Sequence, residues 1–334
     1  MHHHQKLKTE QLRMTEPCSF PENELPAFVI ILLLIIIGTE CIIGIIANGF
    51  IVVINAAIWI QDKAISTSGR ILFFLSTSRI TLQSFMMLEM IFSSTSSYYY
   101  HYYEDTVYDI FRVSFTFFNY CSLWFSAWFS FFYFVKIANF SCPLFLKLKW
   151  RISGLMPWLL WLSVLFSLTS SILLGKDIYT KYCNNSFSIS SSNFTKKLYF
   201  TETNVVNLAF FYNLGILIPL ILFILAATLL IVSLKRHTLN MENNANSSWD
   251  SRIEAHIRAI KETTYILFLY IFNAVALFLF ASNIFANNSF WNILFEIIMA
   301  AYPAGDSVLL ICDNPGLRRT WKQLYLQIHR YLKG

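Results

Sequence analysis

The chain has 334 residues, of which 56% are hydrophobic and 13% are charged, and its formal net charge is +6. A soluble domain carries about a quarter of its residues as charged side chains, so this composition excludes a protein whose whole surface faces water. The apolar residues come in blocks of about 20 or more, the length of a membrane-spanning helix, which predicts an all-α membrane protein.

The first 26 residues are polar and lack the pattern of a cleavable signal peptide. We expect them to form an extracellular N-terminal arm that leads into a signal-anchor helix. Cys18 in this arm and Cys183 later in the chain are the cysteines expected on the oxidising side of the membrane. A disulfide between them and two free thiols both remain open.

Seven apolar segments follow the arm, and each is long enough to cross a hydrocarbon core of roughly 30 Å as a helix. They cover residues 27–60, 69–92, 107–135, 155–174, 204–234, 262–285 and 290–312. The sequence therefore predicts one membrane domain over residues 27–312, built as a bundle of seven transmembrane helices.

The residues after the seventh segment predict an amphipathic surface helix. Asn314 suits a helix cap and Pro315 a first helical turn. Apolar residues then recur every three or four positions, with basic residues between them: Leu317, Trp321, Leu324, Ile328 and Leu332. We expect residues 313–334 to form a cytoplasmic segment that lies on the inner leaflet.

The distribution of Lys and Arg predicts the orientation. More than twice as many of these residues fall in the segments that are cytosolic if the N-terminus lies outside as fall in the remaining loops. Three glycosylation sequons, at Asn184, Asn193 and Asn287, lie in segments predicted to be outside. We therefore expect a multi-pass protein of the plasma membrane. Lipid headgroups explain the net positive charge, and no nucleic acid is expected as a partner.

The sequence disfavours an enzyme. It has no Gly-rich phosphate loop, no nucleophile elbow and no cysteine or histidine pattern with metal-ligand spacing, so neither a cofactor nor a metal is expected. Seven spans followed by a surface helix are the plan of a G-protein-coupled receptor. A small-molecule transporter of the plasma membrane is the alternative, although the internal repeats typical of transporters are not evident.

The end of the third segment, Phe131-Phe-Tyr-Phe-Val-Lys-Ile-Ala-Asn-Phe-Ser141, resembles the FYFLKIANFS signature of the bitter taste receptors, the taste receptor type 2 family. Residues 75–79 (LSTSR), the segment from Ser233 to Met241, and residues 256–261 (HIRAIK) are similar to further motifs of that family. The resemblance implies a receptor for bitter small molecules that activates a heterotrimeric G protein, either gustducin or another inhibitory-class protein. Dimerisation remains open.

The resemblance also implies a ligand site. Trp124 matches the pocket tryptophan of the family, Tyr270 matches its pocket-floor tyrosine, and some members carry an acidic pocket residue at the position of Glu296. Trp128 lies four residues after Trp124, on the same helical face. The alternative interpretations are simple packing of the aromatic rings and, for Glu296, a carboxylate that is hydrogen-bonded to a neighbouring helix or that extends outward to the membrane surface.

Ionisable residues inside the predicted spans need partners, because an unpaired charge in the membrane is costly. Arg79 and Asp306 are at similar depths in the second and seventh segments, and we expect them to form an ion pair near Asn48. Asp306 departs from the family, whose YPSxHS motif has histidine at this position. The pair is interpreted either as an activation switch or as a static polar link between helices.

A group of mostly basic residues is predicted to face the G protein. Headgroup binding explains any one of the basic residues, but together they suit an acidic protein surface. The group comprises Tyr133, Lys136, Lys147, Lys149, Arg151, Lys235, Arg236 and His237.

Overall fold

The computed structural model describes residues 27–63, 65–95, 104–138, 143–185, 194–244, 251–282 and 289–333. Cys18, Asn193 and Asn287 lie outside the described residues, as do the side chains of Cys183 and Asn184. The described ranges form α1 (Ala27–Asp62), α2 (Thr67–Thr95), α3 (Glu104–Ile137), α4 (Pro143–Asn185), α5 (Phe194–Asn244), α6 (Ser251–Ala281), α7 (Ser289–Asp313) and α8 (Pro315–Lys333).

Helices α1 to α7 pack side by side as a bundle. α1 contacts both α2 and α7, and the sequence of neighbours continues through α5–α6 and α6–α7. α3 packs against α2, α4 and α5, which places it at the centre. We refer to the end of the bundle that carries α8 as the α8 end, and to the other as the opposite end.

Six helices in the described part of the chain are long and apolar enough to cross a membrane, namely α1, α2, α4, α5, α6 and α7. α3 has 34 residues, about 50 Å of helix at 1.5 Å per residue, and is therefore also long enough. Its lower hydropathy follows from its position, because a helix enclosed by other helices can place serine and tyrosine side chains against protein instead of lipid.

Large apolar side chains point outward around the bundle, as expected for a surface that faces lipid. An apolar surface this extensive would be unstable in water. Examples are Phe28, Ile35, Ile46, Val53, Trp158, Leu162, Leu225, Val232 and Phe272.

Several helices extend past their predicted limits at the α8 end. α4 begins at Pro143, whereas the sequence predicted residue 155, and α6 begins at Ser251, whereas residue 262 was predicted. The difference arises because apolar runs report the thickness of the hydrocarbon core, whereas a helix continues into the headgroup region. There, side chains such as Lys149 (whose Nζ donates to the Ala138 carbonyl at 3.0 Å) can remain hydrated.

α8 begins as the sequence predicted. Asn314 Oδ1 accepts hydrogen bonds from the backbone N–H groups of Gly316, at 3.0 Å, and Leu317, at 3.3 Å, and so caps the helix. Leu317 is buried in a small cluster with residues of α1, α2 and α7, and the ring of Trp321 lies edge-on against Phe50 at 5.0 Å. These contacts fix the first two turns of α8 against the bundle.

Gly44 permits a close approach of α1 to α2. A Cβ atom added at Gly44 would lie 1.9 Å from Nε2 of Gln83, a side chain that is fully buried. Gln83 cannot move into solvent to make room, so the absence of a side chain at residue 44 sets the spacing of the two helices.

We predict that Gly44→Ala lowers the free energy of unfolding of the purified protein in detergent by about 1–3 kcal/mol, because the added methyl group overpacks this contact. Gly49→Ala is the matched control on the same helix, since a Cβ there meets nothing within 4 Å. In a Gln83→Ala background the cost of Gly44→Ala should disappear. An equal cost in both backgrounds would contradict this explanation.

Candidate functional site

The centre of the bundle holds a polar network around Arg79 of α2, whose side chain is completely buried. The guanidinium group donates from Nε to Ser122 Oγ at 3.4 Å and from Nη2 to Ser126 Oγ at 3.1 Å, both on α3. Nη2 also forms an ion pair with Asp306 of α7, and the predicted contact between these two residues is therefore present. One side chain thus connects three helices.

Tyr302 lies one turn before Asp306 on α7 and belongs to the same network. Its hydroxyl accepts a hydrogen bond from Arg79 Nη2 at 3.1 Å and donates one to Ser126 Oγ at 2.9 Å. The guanidinium carbon of Arg79 also lies 5.1 Å from the centre of the Tyr302 ring. The cation is therefore surrounded by a carboxylate, hydroxyl groups and an aromatic ring.

Asn48 extends the network to α1. Its Nδ2 donates to the carbonyl of Gly44 at 2.9 Å and approaches that of Pro303 at 3.4 Å. Ser307 Oγ lies 2.7 Å from Asn48 Oδ1, and Arg79 Nη1 donates to Ser307 Oγ at 3.4 Å. The carbonyl of Pro303 is also 2.6 Å from Ser307 Oγ. These contacts hold α1 and α7 together at the level of the ion pair.

Tyr270 of α6 packs in the core beside this network. Its hydroxyl donates to the backbone carbonyl of Leu123 at 3.0 Å. Its ring stacks on Phe223 of α5, with ring centres 3.9 Å apart, and meets Tyr302 edge-on at 5.7 Å. The alternative interpretation of Tyr270, a packed aromatic whose hydroxyl bonds a helix backbone, describes these contacts. Tyr270 thereby connects α3, α5, α6 and α7.

The two tryptophans of α3 face α4. Trp124 and Trp128 stack with ring centres 6.0 Å apart, and Trp124 meets Phe166 of α4 edge-on at 5.6 Å. Nε1 of Trp128 donates to Ser163 Oγ at 2.8 Å. Nε1 of Trp124 is buried and has no hydrogen-bond partner among the described residues. Of the two indole N–H groups, that of Trp124 is the one free to bind a ligand.

Further buried polar atoms lack a hydrogen-bond partner within the described ranges, including both side-chain amide atoms of Gln83. Among those between Tyr270 and the opposite end are Oδ1 of Asn273 on α6 and Oδ1 of Asn213 on α5. Buried oxygens and N–H groups are costly to leave unpaired, and such atoms in a native protein usually mark a water or ligand position. With Trp124 the two asparagines provide one donor and two acceptors from three helices.

Glu296 lies on α7, between Tyr302 and the opposite end, and its side chain is partly buried. Its electrostatic neighbour is Glu89 of α2. Glu296 is therefore on the other side of the bundle from Trp124, which faces α4. The structure brings Trp124 and Trp128 together, but it leaves Glu296 apart from them.

A cavity of about 330 Å³ occupies the α8 half of the bundle. Its walls come from α2, α3, α5, α6 and α7, and include Tyr133, Phe223, Leu234 and Thr263. Ser126 and Asp306 also line it, so two members of the polar network lie at its inner end. In the part of the chain that the structure describes, neither the lining of this cavity nor that of two further pockets includes Trp124, Trp128, Tyr270 or Glu296.

The residues predicted to face a G protein lie around the α8 end. Tyr133 lines the cavity, and Lys136, Lys147, Arg151, Lys235, Arg236 and His237 are exposed. The ring of His237 stacks on His256 of α6, with centres 5.8 Å apart. Exposed basic groups thus surround a cavity with mainly apolar walls.

Sequence reasoning did not assign Ser122, Ser126 or Tyr302 to the network. Ser122, Ser126 and Ser130 are spaced by four residues, which places them on one face of α3, and Tyr302 is four residues before Asp306. This serine stripe is the signal that identifies the inward face of α3 toward α2 and α7.

Comparison with known proteins gave close relatives. A family model described as taste receptor protein (TAS2R) matches residues 25–329. The chain is 64% identical over 324 residues to taste receptor type 2 member 39 of Gorilla gorilla gorilla, covering 97% of this chain and 95% of the relative. The same figures hold for taste receptor type 2 member 39 of Homo sapiens. The sequence around residues 66–72 and 313–319 predicted a likeness to this receptor type, and the prediction is confirmed.

The crystal structure of squid rhodopsin is similar in fold. It aligns with a TM-score of 0.60 at 14% identity, covering 94% of this chain and 91% of rhodopsin. The predicted seven-helix receptor fold is therefore confirmed.

We predict that Asp306→Ala lowers the free energy of unfolding by about 3–5 kcal/mol, because it leaves the buried Arg79 cation without its counter-ion. The double variant Arg79→Met/Asp306→Leu should be more stable than Asp306→Ala, since it removes both charges. Thermal unfolding of the purified protein in one detergent measures both.

The matched control is the ion pair between Arg258 and Glu254, which lie 3.3 Å apart with both side chains more than half exposed. Glu254→Gln should cost less than about 1 kcal/mol. A similar cost for Asp306→Ala would show that the buried pair contributes no more than a surface pair.

Proposed function

This chain belongs to the family of taste receptor proteins (TAS2R), and we propose that it is a plasma-membrane receptor for bitter small molecules that activates a gustducin-type or other inhibitory-class G protein. It is a multi-pass G-protein-coupled receptor and not an enzyme. In the proposed orientation residues 1–26 are extracellular, the opposite end of the bundle faces outward, and residues 313–334 lie in the cytoplasm. The excess of Lys and Arg at the α8 end supports this orientation.

The observation that supports the ligand proposal is the set of unpaired buried polar atoms at the depth of Tyr270 (Trp124 Nε1) and beyond it toward the opposite end (Asn213 Oδ1 and Asn273 Oδ1). A molecule that enters from outside can accept a hydrogen bond from Trp124 Nε1 and donate to Asn213 or Asn273. Its apolar part would displace or pack against aromatic side chains of α3 and α4. Such a site, apolar with few polar anchors, suits binding of varied small molecules.

Glu296 is proposed as a second polar anchor on the far side of the site. A ligand with a hydroxyl or cationic group can interact with its carboxyl group, whereas the carboxyl groups of Glu296 and Glu89 repel each other when both are charged. Tyr270 and Trp128 already use their polar atoms on Leu123 and Ser163. We therefore assign them packing roles beneath the ligand.

The effect of ligand binding is proposed to be transmitted to the α8 end through contacts of Tyr270 and the Arg79–Asp306 ion pair. Tyr270 contacts the backbone of α3 and the ring of Tyr302, which is bonded to Arg79. Asp306 forms the inner end of the α8-end cavity. A ligand that favours one arrangement of these side chains changes the population of the state whose cavity accepts the G protein, in proportion to its differential affinity.

The G protein is proposed to dock at that cavity. Its mainly apolar walls suit an inserted helical segment, and the exposed basic residues, among them Lys136, Lys235 and Arg236, suit an acidic partner surface. The transporter alternative predicts uptake of a radiolabelled compound without nucleotide exchange on a G protein. The receptor proposal predicts nucleotide exchange that depends on the compound.

We predict that cells expressing this chain with a chimeric gustducin-type G protein mobilise calcium in response to members of a panel of bitter plant compounds. Trp124→Ala should raise the half-maximal concentration of such a compound about tenfold or more, which corresponds to losing about 1.4 kcal/mol of binding. Glu296→Gln should reduce the response to cationic or hydroxyl-rich compounds selectively.

Trp158→Ala is the control, because Trp158 is 77% exposed on the lipid-facing side of α4. It should leave the responses unchanged at equal surface expression. Equal loss of response in Trp124→Ala and Trp158→Ala would contradict the ligand site. Uptake without any calcium response would favour the transporter.

A further inference from the structure

The α8-end cavity adjoins a side pocket of about 290 Å³ between α6, α7 and α8. Thr263 and Asp313 line both spaces, so a molecule that occupies the cavity has access to the pocket. The walls of the cavity are mainly apolar, whereas charged side chains from three helices line the side pocket: Arg258, Glu262, Asp313 and Arg318. The side pocket is therefore suited to recognise a charged group.

Two carboxyl groups meet where these spaces adjoin. Those of Glu262 on α6 and Asp313 at the end of α7 are in hydrogen-bonding contact. Two charged carboxylates at this distance repel each other, so the pair must either share a proton or bind a cation. The buried Oδ1 atom of Asp313 receives no hydrogen bond from an N–H group or a hydroxyl group within the described ranges. An acceptor position at the pair is therefore open to an incoming donor.

The carboxyl pair lacks a counter-ion in the part of the chain that the structure describes, since neither Glu262 nor Asp313 forms an ion pair there. Arg258 lies on the wall of the side pocket, but it contacts Glu254 at 3.3 Å and influences Asp313 only at longer range. Arg318 is exposed at the start of α8. The missing positive charge can therefore come from a partner.

We propose that the Glu262–Asp313 pair binds a basic side chain of the segment that the G protein inserts into the α8-end cavity. This rests on the proposed docking of a G protein there and specifies the chemistry of one contact. The ammonium group of a lysine has three hydrogen-bond donors and no acceptor. The two carboxyl groups accept from it, and so can the hydroxyl oxygen of Thr263, whose own hydrogen is donated to the Ala259 carbonyl at 2.8 Å.

The surroundings favour a side chain on a long stem over a free divalent cation. A magnesium ion needs about six oxygen ligands in octahedral geometry, more than the pair and Thr263 provide. The arginines on the pocket wall repel a small, doubly charged ion. A lysine brings a single charge on an apolar stem, which can pack against the apolar cavity wall beside Ile266.

The pair also gives the α8 end two sides of opposite charge. The exposed basic residues, such as Lys136 and Lys235, belong to α3, α4 and α5, whereas the carboxyl pair belongs to α6 and α7. A segment with an acidic group on the first side and a basic group on the second is favoured in one orientation. A segment that presents a carboxylate to Glu262 and Asp313 is rejected, so the pair contributes to the choice of G protein.

The test measures nucleotide exchange on a purified gustducin-type heterotrimer, driven by the full-length receptor in nanodiscs with an activating bitter compound. The double variant Glu262→Gln/Asp313→Asn removes the charges while keeping the shape of both side chains. We expect it to raise the G-protein concentration for half-maximal exchange about tenfold. Asp313→Lys should raise this concentration as well. A G protein with one Lys or Arg of its receptor-facing surface changed to Glu should restore exchange by Asp313→Lys.

Asp62→Asn is the matched control, because Asp62 is an exposed carboxylate at the α8 end of α1 and lines neither space. It should keep the wild-type half-maximal concentration. An unchanged value for the double variant would overturn the proposal. An equal loss in Asp62→Asn would also overturn it, since this would indicate a general effect of surface charge. So would thermal stabilisation of the receptor alone by Mg²⁺ that the double variant lacks, because the pair would then hold a divalent cation.

The same measurements separate this contact from the proposed function. Compound-dependent exchange by the wild type, with equal rates in the double variant, would leave the receptor function standing without this contact. Absence of exchange by the wild type with every compound tested would overturn the receptor function and the contact with it. The thermal unfolding temperature of each variant shows that the comparison is between folded proteins.

Discussion

The ion pair between Arg79 and Asp306 is the interaction on which the rest of the bundle depends. A charged side chain deep in a membrane protein is costly unless its charge and its hydrogen-bonding atoms are satisfied by protein. Arg79 meets this condition with partners on α3 and α7, and Ser307 continues the connection to Asn48 on α1. Four helices are consequently fixed at one depth, and a rearrangement of any one of them changes the surroundings of the same cation.

This arrangement divides the bundle into two functional halves. Toward the opposite end, polar atoms such as Asn213 Oδ1 and Asn273 Oδ1 are buried and unpaired in the described part of the chain, as suits a site that a ligand completes. Toward the α8 end, the network borders a cavity of about 330 Å³ with an exposed basic rim. Tyr270 and Tyr302 lie between the halves in edge-on contact. A ligand-induced movement of Tyr270 would therefore act directly on Tyr302 and, through it, on the ion pair.

Much of this organisation was predictable from the sequence, and the reasons are specific. Ionisable residues within apolar runs must find partners, which is why Arg79 and Asp306 could be paired before their geometry was known. The cap at Asn314 follows from local chemistry alone. The partners Ser126 and Tyr302, the bond of Trp128 to Ser163 and the position of the cavity depend on how the helices rotate against one another. That rotation is set by tertiary packing, for instance at Gly44 and Gln83, and a linear pattern does not encode it.

The most direct test of the central claim is the nucleotide exchange rate of a G protein incubated with purified wild-type receptor and with Asp306→His, with and without an activating bitter compound. Histidine is the residue that the motif resemblance implies at this position, and it provides a weaker partner for Arg79 than a carboxylate. If the pair restrains the inactive arrangement, Asp306→His should raise the basal rate and reduce the ratio of stimulated to basal exchange, while Glu254→Gln changes neither. Unchanged basal and stimulated rates in Asp306→His would contradict the account and leave the ion pair as a static link between helices.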